Sequence, residues 1–208
     1  YTYHVHDFHC VCPQQNLVAE NWYCNLSCNK NNCKFDKFVY RYDVDINIYR
    51  KYWENFLIVN DEIICFSNSS KKIVQTAYSA LDTNKISVKP HNMKYCNFTP
   101  LKIKSNDSIN IAFVGSCNTI PKGKFVIERI MREIPDDIKI FMIGSSEKYF
   151  STKRKNIYWY GTYKHEDLPK ILEELKINKV IFPSVCPETF SYVVSELIQM
   201  DIPIVSFD

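Results

Sequence analysis

Two carboxylates, Glu188 and Glu196, are separated by seven residues in the stretch KVIFPSVCPETFSYVVSELIQMDIPIVSFD, which ends the chain. The order of residue types around them predicts an apolar strand over 180–182, a Pro183-Ser184 turn, a helix carrying Glu196, and a second strand over 202–207. Strand, loop, helix and strand in this order form a parallel βαβ crossover, which places the loop and the helix N-terminus at the carboxyl edge of a sheet. Helix-terminal amides there suit a phosphate, and nearby carboxylates can accept hydrogen bonds from sugar hydroxyls. The plainer reading is a Pro-Glu-Thr helix start followed by one solvated glutamate. Three other groups of residues could do chemistry. Lys122 precedes Gly123 shortly after the apolar run INIAFVG, His6-Asp7 lies in HVHDFHCVCP, and five of the nine cysteines fall between Cys10 and Cys33.

These groups need elements to hold them. A short strand is expected over 1–5, then an irregular, cysteine-rich segment over 10–37. Residues 44–57 have apolar side chains at helical spacing, with Ile46, Tyr49, Tyr52, Trp53, Phe56 and Leu57 on one side. IICF at 63–66 reads as a buried strand, Ser67 to Ser70 as the capped start of a helix reaching about Tyr78, and KISVK at 85–89 as a strand. A polar connection over 99–108 separates this half from the next. The pattern then restarts. Strands are expected over 109–114, 139–143 and 157–160, each ending at a glycine (Gly115, Gly144, Gly161), with helices over 124–133 and 167–175. Alternation of this kind defines an α/β doubly wound domain.

Composition narrows the functions available. With 46% hydrophobic and 24% charged residues the chain is that of an ordinary globular protein. Its formal net charge is only +3, with the basic excess in the first half. That is too little for nucleic-acid binding, which needs a concentrated basic face, but it leaves room for peripheral contact with an anionic membrane surface. No apolar run approaches the roughly 18 residues of a membrane span. The chain starts at Tyr1 within an expected strand and stops at Asp208 just after another, so both ends read as cut.

PETFSYVVSE resembles the Glu-x7-Glu signature of the group 1 family of retaining glycosyltransferases, and AFVGSCNTIPKG, FMIGSS and IYWYGTYKHEDLPKIL resemble that family's successive donor-domain loops. HVHDFHCVCP is similar to its acceptor-domain His-Asp segment, and PHNMKY to its interdomain turn, with Asn92 where glycine is usual and, like glycine, tolerant of positive φ. The resemblance implies a GT-B fold: two Rossmann-like domains with parallel sheets, here an incomplete acceptor-side domain over 1–100 and a donor-binding domain over 101–208. It implies transfer of a sugar from a UDP- or GDP-linked donor to a glycan, polysaccharide or lipid-linked acceptor, with retention. No cofactor and no catalytic metal are expected. His6 would stand near the reacting carbon with Asp7 orienting it, and Glu188 would bond the donor sugar. Glu196 would take the ribose hydroxyls and Lys122 the diphosphate. Gly115, Gly144, Gly161, Ser184, Thr189, Phe190 and Ser191 would line the donor. One departure stands out. Family members carry an arginine soon after the strand glycine, where this chain reads Ser116-Cys117-Asn118.

Three alternatives remain open: a GT-B nucleotide-binding or regulatory module without turnover, a nucleotide-sugar epimerase, and an interaction module whose Cys12, Cys24, Cys28 and Cys33 hold a structural zinc. A cytoplasmic location, peripheral to the inner face of the plasma membrane, is expected. It argues against disulfides among these cysteines. Cys65, Cys117 and Cys186, in or beside expected strands, read as core residues.

Overall fold

Each strand-forming run identified above joins one of two parallel sheets. A computed structural model describes residues 1–19, 21–28, 44–94, 96–103 and 108–207, and the chain divides into two units. The first comprises Tyr1–Asn92 with Cys186–Phe190, and the second Met93–Val185 with Ser191–Asp208. The change of unit after Asn92 precedes the polar connection, and the loop carrying Glu188 belongs with the first unit.

The first unit contains β1 (Thr2–His4), a hairpin of β2 (Val18–Ala19) and β3 (Trp22–Tyr23), α1 (Ile46–Ile58), β4 (Glu62–Cys65), α2 (Asn68–Ala77) and β5 (Ile86–Val88). Its sheet has the order β1-β4-β5, all parallel. The hairpin is an element that the irregular reading of 10–37 did not contain. Residues 29–37 of that segment, Cys33 among them, lie outside the described residues. Apolar side chains from the sheet (Ile63, Cys65, Ile86), from α2 (Ile73, Val74) and from the first loop (Phe8, Leu17) form one core. Ser67 starts α2 with a reciprocal capping box: its hydroxyl accepts from the Ser70 amide, while its own amide donates to Ser70 Oγ. Two backbone donors otherwise orphaned at a helix start are thereby satisfied.

Helix α1 departs from expectation. Only Leu57 is buried, with Ile46 and Trp53 packed partly against the core, whereas Tyr52 is 73% exposed and Phe56 faces outward. The reason lies in polar contacts on its inner side. The Tyr49 hydroxyl donates to the His9 carbonyl at 2.5 Å and Arg50 Nε to the Val11 carbonyl at 3.0 Å. These bonds hold α1 through a narrow seam rather than a broad apolar face.

The second unit is built of β6 (Asn110–Val114), α3 (Lys124–Glu133), β7 (Lys139–Ile143), β8 (Ile157–Gly161), α4 (Leu168–Glu174), β9 (Lys179–Phe182), α5 (Tyr192–Gln199) and β10 (Ile204–Ser206). Its five strands are parallel in the order β10-β9-β6-β7-β8. Because side chains alternate across a strand, successive residues feed opposite cores. Ala112, Val114, Phe141 and Ile143 pack with Leu168, Leu172 and Leu197 of α4 and α5. Phe113, Ile140 and Met142 pack on the other face with Ile127 and Met131 of α3. A sheet covered on both faces explains why β6 is buried from end to end. The chain runs outward from β6 through β7 to β8, then crosses to the other side of β6 to form β9. That reversal creates a switch point between β6 and β9, the place where open α/β sheets leave a crevice.

Candidate functional site

The loops at the carboxyl ends of β6 and β9 are joined by close packing. A Cβ placed on Gly123, whose φ is +77°, would stand 2.0 Å from the Pro183 carbonyl oxygen, so no larger residue fits without moving backbone. The Val185 amide and the Ser184 hydroxyl both donate to the Pro121 carbonyl, at 3.0 and 3.2 Å. Lys122, exposed beside Gly123, is therefore carried on a turn with a fixed backbone at the switch point. A Cβ on Gly144 would come within 3.1 Å of the Gly115 backbone, which makes the β6 and β7 strand ends a single close-packed ledge. Buried Ser145 ties that ledge together, its Oγ accepting from the Cys117 amide at 2.9 Å and donating to the Gly115 carbonyl at 3.0 Å. The next strand end joins it, as the Gly144 amide donates to the Gly161 carbonyl at 2.7 Å.

Helix α5 begins at the same edge. Ser191 is its N-cap, with its hydroxyl accepting from the Val194 amide, and a Cβ on Gly115 would lie 3.7 Å from Val193. One turn in from the Val193 contact, Glu196 is 4% exposed. Its Oε1 is 3.4 Å from His165 Nδ1, and His165 Nε2 is 3.0 Å from Cys96 Sγ. Loss of water pushes the Glu196 carboxyl above its usual range, and His165 opposes that shift. Half-buried Tyr163 is pushed up to about 12 by burial and then by the Glu196 charge. Burial likewise lifts the Cys117 thiol to about 11, against the pull of Lys122. The plainer reading of Glu196 as solvated thus fails: this side of α5 faces the interior.

In the first unit, His6 follows β1. The rings of His6 and His91 lie 5.0 and 3.8 Å from Phe66, and those of His4 and His6 stack at 5.9 Å. Burial, followed by the charges of His6 and His4, lowers the affinity of His91 for a proton. Thr189 donates from Oγ1 to the His6 carbonyl at 2.8 Å, and Phe190 meets His91 edge-on at 5.1 Å. Thr189 and Phe190 thus accompany His6, while Ser191 caps α5. Glu188 is partly buried in the same short segment. Asp7 does not orient His6 through a hydrogen bond; its Oδ1 accepts from the His9 amide at 2.8 Å, closing a local turn. Asn92 is not among the non-glycine residues with positive φ, which are Leu17, Asn25, Leu26, Lys176 and Asp201 among those described.

Among the described residues, Cys12, Cys24 and Cys28 do not converge as a three-donor set, and Cys28 Sγ accepts from Arg50 at 3.2 Å. Cys65 and Cys117 are core residues as expected, whereas Cys186 is only partly buried because it lies in the loop past β9. Sequence reading missed Ser145, His91, Cys96 and His165. His91 in PHNMKY, Ser145 in FMIGSS and His165 in a strand-end loop stood in segments already singled out; Cys96 did not.

No family model and no curated protein sequence matches the chain. Solved structures do. HepE of Anabaena, crystallised with UDP and glucose, superposes with a TM-score of 0.60 at 13% identity over 99% of this chain and 52% of its own. The lipopolysaccharide outer core galactosyltransferase WaaB gives 0.51 at 15% identity, over 78% of this chain and 45% of its own. A glycosyltransferase of Rickettsia africae gives 0.55 at 18%, over 79% and 48%. The fold is therefore that of the GT-B glycosyltransferases, with two Rossmann-like units of parallel sheet. The chain spans about half the length of the structures it matches. No helix among the described residues is long and apolar enough to cross a membrane.

Proposed function

We propose that this chain carries the nucleotide-sugar site of a retaining glycosyltransferase, which passes the sugar to a glycan, polysaccharide or lipid-linked acceptor. The observation that supports this most is the buried Glu196 on α5, beside the ledge of strand ends at a Rossmann switch point. A carboxylate at that place is suited to accept both hydroxyls of a ribose. The α5 N-terminus and the Ser191 cap supply positive potential for phosphate, and Lys122 neutralises charge as the diphosphate departs. In the transfer, the bond from the anomeric carbon to the phosphate oxygen breaks and one to the acceptor oxygen forms. The acceptor proton passes to the leaving phosphate. The step needs no protein nucleophile and no metal. Glu188 is assigned to the donor sugar and His6 to the acceptor side, with the backbone bond from Thr189 positioning His6 in place of Asp7. Work at the cytoplasmic face of a membrane fits an acceptor carried on lipid.

A second reading is supported by one observation. Where the family resemblance leads to an arginine soon after the strand glycine, this chain has Ser116-Cys117-Asn118; the Ser116 hydroxyl bonds Asn118 at 3.0 Å, and Cys117 is buried. A GT-B module that binds nucleotide without turning it over would tolerate that loss. Thermal-shift titration with UDP, GDP and ADP and their sugar conjugates tests both readings. At 100 times its dissociation constant a nucleotide adds about 2.7 kcal/mol. A raised midpoint for one base, lost in Glu196→Ala, is expected. No shift with any nucleotide would overturn the assignment. Binding without release of diphosphate from any donor and acceptor pair would leave the second reading.

A further inference from the structure

We propose that Cys96, His165 and Glu196 form a binding site for a thiophilic divalent cation of the zinc class. The three side chains come from separate parts of the second unit: the segment before β6, the turn between β8 and α4, and helix α5. Their donor atoms all lie within 4.8 Å of one another. Ligands at a tetrahedral zinc, with bonds of about 2.0–2.3 Å, stand about 3.3–3.8 Å apart. A pair at the outer limit of the trio therefore closes by about one ångström, a movement on the scale of a side-chain rotation.

The donor set is selective. Magnesium and calcium require oxygen ligands, whereas sulfur and imidazole nitrogen favour zinc and its neighbours in the first transition row. Burial divides the work among the three. Cys96 is 2% and Glu196 4% exposed, which fixes two ligands, whereas the His165 side chain is 39% exposed and gives an entry side. Phe98, 5.2 Å from the imidazole, limits how that ring turns. Without an ion, the thiol-imidazole-carboxylate contacts hold the ligands close together. On binding, the thiol releases its proton to solvent and one imidazole nitrogen takes the metal, while the carboxylate moves to the same ion. A dication also relieves the unfavourable burial of the Glu196 charge. Three protein ligands leave a fourth position for water, the pattern of an open rather than a closed site.

The consequence rests on the nucleotide reading above. If Glu196 takes the ribose hydroxyls, an ion on its carboxylate competes with the nucleotide, and zinc becomes a reversible brake on donor binding. Zinc and cobalt titration of the chelator-treated protein tests the site. The variants are Cys96→Ser, His165→Gln and, as a control for the cysteine-rich segment, Cys24→Ser/Cys28→Ser. About one equivalent of zinc should survive desalting, and cobalt should show a thiolate charge-transfer band. Both should be lost, or affinity weakened about tenfold or more, in Cys96→Ser and His165→Gln, while the control retains them. Zinc bound equally well by Cys96→Ser, or lost only in the control, would overturn the proposal. So would absence of binding in the folded wild type, which would make the trio a hydrogen-bonded relay only.

Nucleotide titration with and without zinc tests the brake. Zinc should weaken nucleotide binding in the wild type and have no effect in Cys96→Ser, which still binds nucleotide. Zinc retained through Cys96 with no nucleotide bound under any condition would sink the donor reading and leave the metal site standing.

Discussion

The two sheets follow the same parallel plan but hold their polar groups in opposite ways. In the second unit, helices cover both faces, and polar side chains within it are fixed by partners. Ser145 bridges two strand ends, Asn110 donates to the Leu175 carbonyl at 2.7 Å, and Glu196 faces His165. In the first unit one core lies under α2, and besides the buried Asn60 and Ser70 its histidines gather on an exposed rim. His4 and His6 stand open to solvent, and α1 leaves Ile48, Tyr52 and Phe56 uncovered. The difference teaches where each kind of specificity can reside. A carboxylate held by partners at a buried edge suits a ligand of fixed shape, because its geometry is set before binding. Rings on an open rim suit groups that vary.

The sharpest way to test that contrast is to empty the core on the covered side. Phe113→Ala removes a fully buried ring from β6 and should cost about 3–5 kcal/mol, whereas Tyr52→Ala on α1 should stay within about 0.5 kcal/mol. Urea unfolding of the two variants measures both, and equal losses would erase the distinction between the units. Gly123→Ala comes next. With a Cβ forced against Pro183 at positive φ, it should destabilise by about 2 kcal/mol or more and weaken nucleotide binding, since Lys122 moves with the turn. Unchanged stability would mean that the junction between the β6 and β9 loops yields easily.

Alkali should separate the units further. Burial lifts Cys10 to about 12 and Cys65 to about 11 in the first unit, and Cys117 to about 11 in the second. Unfolded thiols ionise near 8.5–9, so the unfolded chain releases its protons first as pH rises. Stability is thus complete below about pH 9 and falls from there through pH 11–12, more steeply in the first unit, which buries two such thiols. Variants keeping only Trp53 or only Trp159 report each unit by fluorescence, and an earlier loss in the second unit would contradict the assignment. The smallest effect expected is Ser67→Ala. It removes one side of the capping box and should lower first-unit stability by about 1 kcal/mol, read from the same unfolding curves.

Much of the second unit was legible from local pattern. The helix expected over 124–133 and the strand over 139–143 have those bounds, and the glycine after each strand marks a strand end. The Ser67 cap was legible for the same reason, since a cap depends on neighbours only three residues away. The first unit was read less well. Apolar spacing alone assigned α1 a broad buried face, but Tyr49 and Arg50 bind carbonyls about 40 positions earlier, and that pairing rotates Tyr52 and Phe56 outward. Asp7 bonds the His9 amide, a contact its residue type allows because a short acidic side chain before a turn finds a backbone amide close at hand.

By itself the sequence determined the helices and the strands of the two parallel sheets, though not the β2–β3 hairpin, and that Glu196 rides on a helix at a carboxyl edge. Periodicity, caps and turn residues act over a few residues and can be read in one dimension. Only the tertiary structure decided that Glu196 is buried, that Ser145 closes the ledge, and that Cys96 meets His165 across 69 positions of chain. Such meetings depend on how helices settle on a twisted sheet. No local pattern encodes that, because the packing energy depends on residues distant in the chain.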